Sequence, residues 1–393
     1  MYKMTSRERM LNMISHRPTD HIPLYLRFWD VDLSSDVDNI PFEWRDQIRR
    51  VENTLALGLD DILLLQPPLG YVEEYVPEKL PGLRTHVELL SSPGEDCPQL
   101  KKVYHTPEGP LQVIIKMNAD WPYGQQVPLF NDYNVPRFIE PLIKTKEDLP
   151  KLKYLLASPD TEALQAFKAE AAQLRQERDR LQVMLEGGWT ALGDAAIWLC
   201  GMERILYAQL LEPDFVETLL DVIFEWEMKR IDLLLEEEID VLTHMAWYEG
   251  SDFWTPKVYR KMLKPRLASM IAKARSKGVR FRYLISKGWK PIRHDLVEIG
   301  VDCLTNIDPV QDKIDLREMK EDIGSSISLI GGINSSVMID QWSDEQIRQA
   351  VEKAVEILSP GGGFALFPVD AVFTSQPWEK VQVIIEHWKK LCL

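Results

Sequence analysis

Charged, amide and indole side chains recur wherever a short apolar run of this sequence ends. Carboxylates at such positions can transfer protons or hold a cation, and indoles can wall a pocket for a flat ring or a cation. In chain order, the side chains at or near these ends are Arg27, Trp29, Asp30, Glu186, Trp189, Asp194, Trp247, Glu249, Lys287, Trp289, Asn306, Asp308 and Asp370. Asp61, which introduces the second run, and His244, which lies inside the fourth, are further candidates.

Four of these residues are tryptophans at or just after the end of an apolar run: Trp29, Trp189, Trp247 and Trp289. Together they predict a substrate pocket with aromatic walls. The alternative for each tryptophan is that it packs a helix onto a sheet.

The carboxylates predict an acidic rim around that pocket, with Arg27 as its one clear arginine. Paired carboxylates suit acid–base catalysis or cation binding, while the alternative is a solvated surface. The rim residues are Asp30, Glu249, Asp308 and Asp370, set against Arg27 and Lys287.

A metal site has no strong sequence motif here, because His-Glu-x-x-His and clustered cysteines are both absent. Zinc or another divalent ion would need a mixed set of ligands, for which His244, Glu249 and Asp370 are the candidates. The alternative for His244, which lies inside an apolar run, is a hydrogen-bonded core residue.

Eight apolar runs must position these residues. Most are continuous and not alternating, as parallel strands buried on both faces are, and helical patterns separate most of them. This order predicts a (β/α)8 TIM barrel, which brings strand ends together at one rim. An open doubly wound sheet is the alternative, but Gly-x-Gly-x-x-Gly is absent. The runs are residues 22–28, 61–65, 182–187, 241–247, 281–285, 303–307, 327–331 and 364–369.

Residues 71–140 break this pattern with short β-like runs and turn signals such as Pro107-Glu108-Gly109-Pro110. They predict an antiparallel β insertion after the second strand, covering part of the barrel mouth. With no linker in sight, residues 1–393 are predicted to form a single domain.

Composition excludes some partners. The net charge of −15 argues against nucleic acid and anionic membranes, which require a basic face. No apolar run is long enough to span a bilayer, and the amino terminus lacks a signal-peptide pattern. Cysteines at 97, 200, 303 and 392 form no Cys-x-x-Cys pair. A cytoplasmic protein with reduced thiols is therefore expected.

Several short motifs resemble the uroporphyrinogen decarboxylase superfamily in their order. They begin with residues 16–23, His-Arg-Pro-Thr-Asp-His-Ile-Pro, and continue through Asp61-Ile62-Leu63 and Gly188-Trp189-Thr190. Gly331-Gly332-Ile333 and Pro360-Gly361-Gly362-Gly363 follow further along the chain. The resemblance implies a (β/α)8 barrel, and either decarboxylation or methyl transfer to or from corrinoid proteins.

The resemblance also implies roles for individual residues. Asp61 matches the aspartate that holds the pyrrole N–H groups in decarboxylases, but the arginine-rich segment expected near Arg27 is reduced. The zinc ligands of the methyltransferases, His-x-Cys and a later Cys, are replaced by residues 284–286 (Leu-Ile-Ser) and by Asp370. Uroporphyrinogen carries eight carboxylates, which an acidic rim would repel. A methyltransferase-like member is favoured.

We therefore expect an enzyme that moves a methyl group from a small O- or N-methylated compound to a corrinoid on a partner protein. A decarboxylase and a catalytically inert ligand-binding barrel are the alternatives, and the sequence is compatible with a homodimer without determining the oligomeric state. Arg27, Asp61, His244, Glu249 and Asp370 should share one cavity. The candidate catalytic residues are Asp61, Asp30, Glu249 and Lys287; the substrate-binding residues are Arg27, Trp29, Trp189, Asp194, Trp247 and Trp289; and the metal ligands are His244, Glu249 and Asp370.

Overall fold

The computed structural model describes residues 3–29, 37–68, 83–90, 97–119, 121–130 and 135–392. Its strands are β1 (Phe28–Trp29), β2 (Ile62–Leu65), β3 (Arg84–Leu90), β4 (Gln99–Thr106), β5 (Gly109–Lys116), β6 (Phe138–Glu140), β7 (Met184–Ala191), β8 (Val241–Met245), β9 (Arg280–Leu284), β10 (Cys303–Ile307), β11 (Ser328–Asn334), β12 (Phe364–Val369) and β13 (Val372–Phe373).

Helices separate most of these strands. They are α1 (Ser6–Ile14), α2 (Gln47–Ala56), α3 (Leu152–Leu155), α4 (Thr161–Leu181), α5 (Gly193–Cys200), α6 (Met202–Leu211), α7 (Pro213–Leu235), α8 (Pro256–Val258), α9 (Lys264–Ser276), α10 (Arg293–Ile299), α11 (Leu316–Ile323), α12 (Met338–Gln341), α13 (Asp344–Leu358) and α14 (Trp378–Cys392). Short 3-10 segments cover Lys146–Lys151 and Lys290–Ile292, and a π-helical turn covers Tyr259–Leu263. Across the described ranges, no helix has both the length and the apolar character that a bilayer crossing needs.

A curled parallel sheet forms the centre of the molecule. Within the described residues it has seven strands in the order β2, β7, β8, β9, β10, β11 and β12. Each strand follows its predecessor along the chain through a helical crossover, except that the insertion also lies between β2 and β7. The predicted α/β class and the TIM-barrel-like arrangement are confirmed.

The first predicted strand, residues 22–28, is not a continuous strand. Pro23 lacks the N–H that a ladder bond needs, which limits regular pairing. Leu24 instead bridges Leu366 of β12, while Tyr25 bridges Asp60 just before β2. The Tyr25 N–H donates to the Leu366 carbonyl over 3.1 Å, and the Asp60 N–H donates to the Leu24 carbonyl over 3.0 Å. This short segment therefore connects the two edges of the parallel sheet.

Helix α1 covers the amino-terminal end of that sheet. It begins with the predicted capping box, in which the Glu8 N–H donates to the Thr5 hydroxyl and Glu8 accepts from the Thr5 N–H. Its apolar residues Met10 and Met13 pack in one buried cluster with inward-facing strand residues such as Cys303. Helix α1 therefore fills the interior of the sheet at its amino-terminal end. A second pocket lies outside this plug, between the end of α1 and the glycines that precede β12.

The antiparallel insertion is also confirmed. Strands β3, β4, β5 and β6 pair antiparallel in chain order. The buried residues Leu100 and Tyr104 of β4 pair with Ile115 and Leu111 of β5. These side chains belong to the same apolar cluster as the outward face of the parallel sheet. The rest of the predicted insertion, residues 71–82, 91–96, 120 and 131–134, lies outside the described residues.

Candidate active site

A cavity opens among the carboxyl-terminal ends of the parallel strands, where barrel enzymes place their reactive groups. Its walls come from strands that are far apart in the sequence. The lining residues are Tyr25, Arg27, Phe28, Trp29, Arg50, Ile62, Leu64, Glu186, Trp189, Arg282, Leu284, Thr305, Asn306 and Phe367.

Arg27 forms the upper part of this cavity together with two of the predicted tryptophans. Its guanidinium carbon lies 4.8 Å from the ring centroid of Trp29 and 4.3 Å from that of Trp189. Each contact is a cation–π interaction, which contributes roughly 0.5–2 kcal/mol depending on solvent exposure. The π faces of both indoles are therefore already in contact with a cation supplied by the protein.

A buried ion pair forms the deeper part of the cavity. Arg282 Nη2 lies 2.5 Å from Glu186 Oε2, and Arg282 Nε donates to the Thr243 hydroxyl over 3.1 Å. Glu186 Oε1 accepts from the indole N–H of Trp189 over 2.9 Å. Arg282 and Glu186 are 4% and 1% exposed, so their charges are tolerated because each faces the other.

Two arginines in the cavity wall, Arg50 and Arg282, were not among the predicted site residues. The sequence did carry a signal for Arg282, because a charged residue within a buried strand requires a partner of opposite charge, and Glu186 is another charged residue in such a strand. Arg50 gave no such signal: it lies on α2, where its guanidinium donates to Asp61 over 3.1 Å and to the Ile62 carbonyl over 2.7 Å. The predicted acidic rim with one clear arginine is corrected accordingly.

Asp370 lies beside the cavity, next to Arg27. Asn306, a lining residue, donates to Asp370 Oδ1 over 3.5 Å. Burial raises the pKa of Asp370; the nearby Asp308 raises it further, while Arg27 and the Asn306 hydrogen bond oppose this. A carboxyl with a raised pKa can hold a proton and act as a general acid.

Lys287 and Asp308 lie at the same rim. Lys287 Nζ is 3.6 Å from Asp312, a residue that the sequence did not single out, and the lysine side chain is 55% exposed. Burial and the charge of Asp308 raise the pKa of Asp312 to about 6, against the lowering effect of Lys287. Asp308 itself accepts from the Val310 N–H and from the Asn334 amide, which indicates a role in holding the rim loops.

His244 and Glu249 form a separate, fully buried cluster on the other face of the sheet. The hydroxyl of Thr243 accepts from the cavity residue Arg282, and neighbouring strand residues point to opposite faces, so His244 faces the helices. His244 Nε2 lies 3.1 Å from Glu249 Oε1, and the Tyr283 hydroxyl donates to Glu249 Oε2 over 2.7 Å. Glu249 Oε1 also accepts from the Gly193 N–H over 2.6 Å. The geometry indicates a structural hydrogen-bond network.

Glycine is required at position 193 by this same cluster. A Cβ atom built there would lie 2.8 Å from Glu249 Cγ and 3.1 Å from Trp254 Nε1. Without a side chain at position 193, the start of α5 can approach Glu249 closely enough for its free N–H groups to donate to the carboxylate. The Leu192 N–H also donates to Glu249, over 3.2 Å.

Asp61 and Asp194 are not among the residues that line the cavity, although Asp61 binds the lining residue Arg50. Asp61 precedes β2, at the opposite end from the rim, where its oxygens accept from Arg50, from the Thr54 hydroxyl and from the Ile62 N–H. Buried Asp194 accepts from the N–H groups of Trp247 and Tyr248. Burial and the charge of Glu249 raise the pKa of Asp194 well above the usual range.

The remaining predicted residues have other positions. Trp289 is 6% exposed and packs in the main apolar core. Trp247 is half-buried and is not among the cavity-lining residues, and its indole nitrogen finds no partner within the described ranges. Asp30 lies outside the described residues. Of the four tryptophans, two therefore form the aromatic wall.

The proposed mixed metal site is not assembled. Within the part of the chain that the structure describes, no three His, Cys, Asp or Glu side chains could hold one ion. The partners of Asp370 are Asn306 and Arg27, whereas those of His244 and Glu249 lie on the opposite face of the sheet. A cation-binding set would not include a guanidinium beside its carboxylate. These residues do not fit a zinc site, and no chemical step is derived through one.

The site and the fold can be compared with known proteins. A family model described as Uroporphyrinogen decarboxylase (URO-D) matches residues 121–391, well over half of the chain. The chain belongs to the uroporphyrinogen decarboxylase family. This confirms the family resemblance of the sequence motifs, several of which lie within the matched region.

Solved structures agree with this family membership at the level of the fold. A methyltransferase from Methanosarcina mazei is similar over 99% of both chains, with 17% sequence identity and a TM-score of 0.59. A 3-keto-D-glucoside 4-epimerase from E. coli is similar over 57% of this chain and 84% of its own, with 10% identity and a TM-score of 0.34. The similarity to the methyltransferase shows a shared fold. No curated protein sequence matches significantly.

Proposed function

We propose that this member of the uroporphyrinogen decarboxylase family is a methyltransferase-like enzyme that takes a methyl group from a small O-methylated compound and delivers it to a corrinoid protein. Family membership and the fold shared with the Methanosarcina mazei methyltransferase support the reaction class. The corrinoid acceptor is inferred from the family resemblance alone.

The observation that carries the proposal is the position of Arg27 between Trp29 and Trp189, with Asp370 beside it. A methylammonium substrate would need these indole faces for itself and would be repelled by the guanidinium. A flat or uncharged methoxy compound avoids both conflicts. The site therefore favours an O-methyl donor over an N-methyl donor.

Asp370 supplies the acid that an O-methyl donor requires. When the C–O bond of the donor breaks, its electron pair stays on the leaving oxygen, and a protonated Asp370 can give that oxygen its proton. A corrinoid carried by the partner protein would supply the electron pair for the new bond to the methyl carbon. Arg27, held in place by two indoles, positions the donor beside the acid.

Methyl transfer can be tested with purified protein and cob(I)alamin as the acceptor. A panel of methoxyarenes should produce methylcobalamin, followed by its absorption spectrum, whereas methylamines should produce little. Transfer from methylamines at equal or higher rates would contradict the choice of donor. No transfer from any member of either group would contradict the proposed reaction.

Decarboxylation is a second candidate, because three arginines (Arg27, Arg50 and Arg282) line the cavity and arginine is well suited to bind carboxylates. It predicts release of CO2 from uroporphyrinogen or from a smaller acid. Asp61 is not a lining residue but holds the lining residue Arg50, so an Asp61→Asn change should lower stability and weaken binding of the acid only through Arg50. A CO2 assay without a corrinoid distinguishes this reaction from methyl transfer.

A further inference from the structure

The inner part of the cavity contains polar atoms that have no partner within the described residues. They are Arg282 Nη1, the hydroxyl of Thr305 and Glu186 Oε2, all in buried positions; the last makes an ion-pair contact with Arg282 Nη2. Arg282 is 4% exposed and Thr305 is 3% exposed, and both line the cavity. Leaving buried polar groups unsatisfied destabilises a protein, and the cost is largest for a charged group.

The two residues lie on neighbouring strands and face the same space. Arg282 pairs with Cys303 in the β9–β10 register, and Thr305 is two residues further toward the open end of β10, on the same face. The other nitrogens of Arg282 are engaged by Thr243 and Glu186, so its guanidinium is held in a fixed orientation. A guanidinium N–H next to a hydroxyl offers two donors to one acceptor group.

From this geometry we infer that the substrate carries a carboxylate, which binds at the inner end of the cavity between Arg282 Nη1 and the Thr305 hydroxyl. This inference rests on the proposed function for the identity of the substrate as a methyl donor. A charge-assisted hydrogen bond from a preoriented guanidinium is roughly twice as strong as a neutral one, and is selective for an anion. Glu186 is neutralised by Arg282 and bonded to Trp189, so its charge repels the incoming anion only weakly.

The orientation of such a substrate follows from the same residues. With its carboxylate at Arg282, an aromatic ring would lie against the stacked pair Tyr25 and Phe367, whose centroids are 5.4 Å apart. The end of the ring remote from the carboxylate would then point to the rim, where Asp370 lies. This arrangement places a para-methoxy group of the substrate next to the carboxyl group of Asp370.

Calorimetric titration with 4-methoxybenzoate and with its neutral analogue 4-methoxybenzamide tests the carboxylate site without requiring turnover. We expect the acid to bind at least tenfold more tightly than the amide. Thr305→Val, which keeps the shape and removes the hydroxyl, should weaken binding of the acid severalfold and leave the fold intact. Arg282→Lys, which keeps the charge opposite Glu186, should weaken it about tenfold or more. The matched control is Thr85→Val on exposed β3, which should change nothing.

Equal affinities for acid and amide, or an unchanged affinity for the acid in Thr305→Val, would overturn the carboxylate site. The result of this calorimetric titration can be distinguished from the result of the methyl-transfer assay. Selective, Arg282-dependent binding of the acid without methyl transfer would support the carboxylate site and contradict the proposed reaction. Methyl transfer with no preference for acids would support the reaction and contradict the carboxylate site.

Discussion

The indole N–H of Trp189 donates a 2.9 Å hydrogen bond to Glu186, and this bond links the aromatic wall of the cavity to the ion pair at its inner end. The same indole contacts the guanidinium of Arg27. One side chain therefore holds two charged groups, one on each side of the space where the substrate is proposed to bind.

Trp189→Phe should separate these two roles. Phenylalanine keeps a π face for Arg27 but cannot donate to Glu186, so we expect a loss of about 1–3 kcal/mol in the free energy of unfolding. Binding of 4-methoxybenzoate should weaken as well, because Glu186 becomes a stronger competitor for Arg282. Urea denaturation and calorimetry measure the two effects. A variant with unchanged stability would show that the Trp189–Glu186 bond contributes nothing.

Asp370→Asn tests the proposed acid. Removing the proton donor should lower methyl transfer by roughly 100-fold or more. Since burial raises the pKa of Asp370, the protonated form is favoured in the folded protein, and the wild-type rate should fall as pH rises through that pKa. Rate–pH profiles of the wild type and of exposed Asp232→Asn should coincide. An Asp370→Asn enzyme with an unaltered rate and profile would exclude this role.

Asp312→Asn should change how stability depends on pH. The pKa of Asp312 is about 6 in the folded protein, above its unfolded value, so the folded state binds the extra proton between pH 4 and pH 6. The contribution of Asp312 to stability is fully present below about pH 4 and is lost as pH rises through 6. Because the side chain is only partly buried, we expect the Asp312→Asn variant to gain about 1 kcal/mol at pH 8 and little at pH 4. Thermal unfolding at both pH values measures this, and an equal shift at both would contradict it.

The buried His244–Glu249 cluster is expected to support the fold and not to bind a metal. Glu249→Ala leaves the N–H groups of Leu192 and Gly193 and the Tyr283 hydroxyl without their acceptor, so the free energy of unfolding should fall by about 3 kcal/mol or more. Tyr283→Phe should cost about 1–2 kcal/mol. Elemental analysis should give the same metal content in both variants as in the wild type. Loss of a bound metal at unchanged stability would instead restore the metal-site hypothesis.

Some of the candidate site was predictable from local pattern alone. Arg27, Trp29 and Trp189 lie at or just after the ends of apolar runs, and the parallel sheet brings such positions to one rim whatever their distance along the chain. His244 was a different case. A continuous apolar run gives no alternation that says which of two neighbouring residues points inward, so its orientation could not be read from the sequence.

Periodicity and turn signals, which involve only a few neighbouring residues, were enough to predict the order of the strands, the helical crossovers and the antiparallel insertion. The short motifs were enough to indicate the family. The ends of elements and the facing of side chains depend on pairing between distant segments. Only the tertiary structure could decide that Arg282 meets Glu186 inside the sheet, that Asp61 binds Arg50 at the far end, and that Asp370 joins Arg27 and not His244. The physical reason is that a buried charge pairs with a group on whichever strand or helix lies beside it in space. The positions of the two residues in the sequence do not show which elements become neighbours.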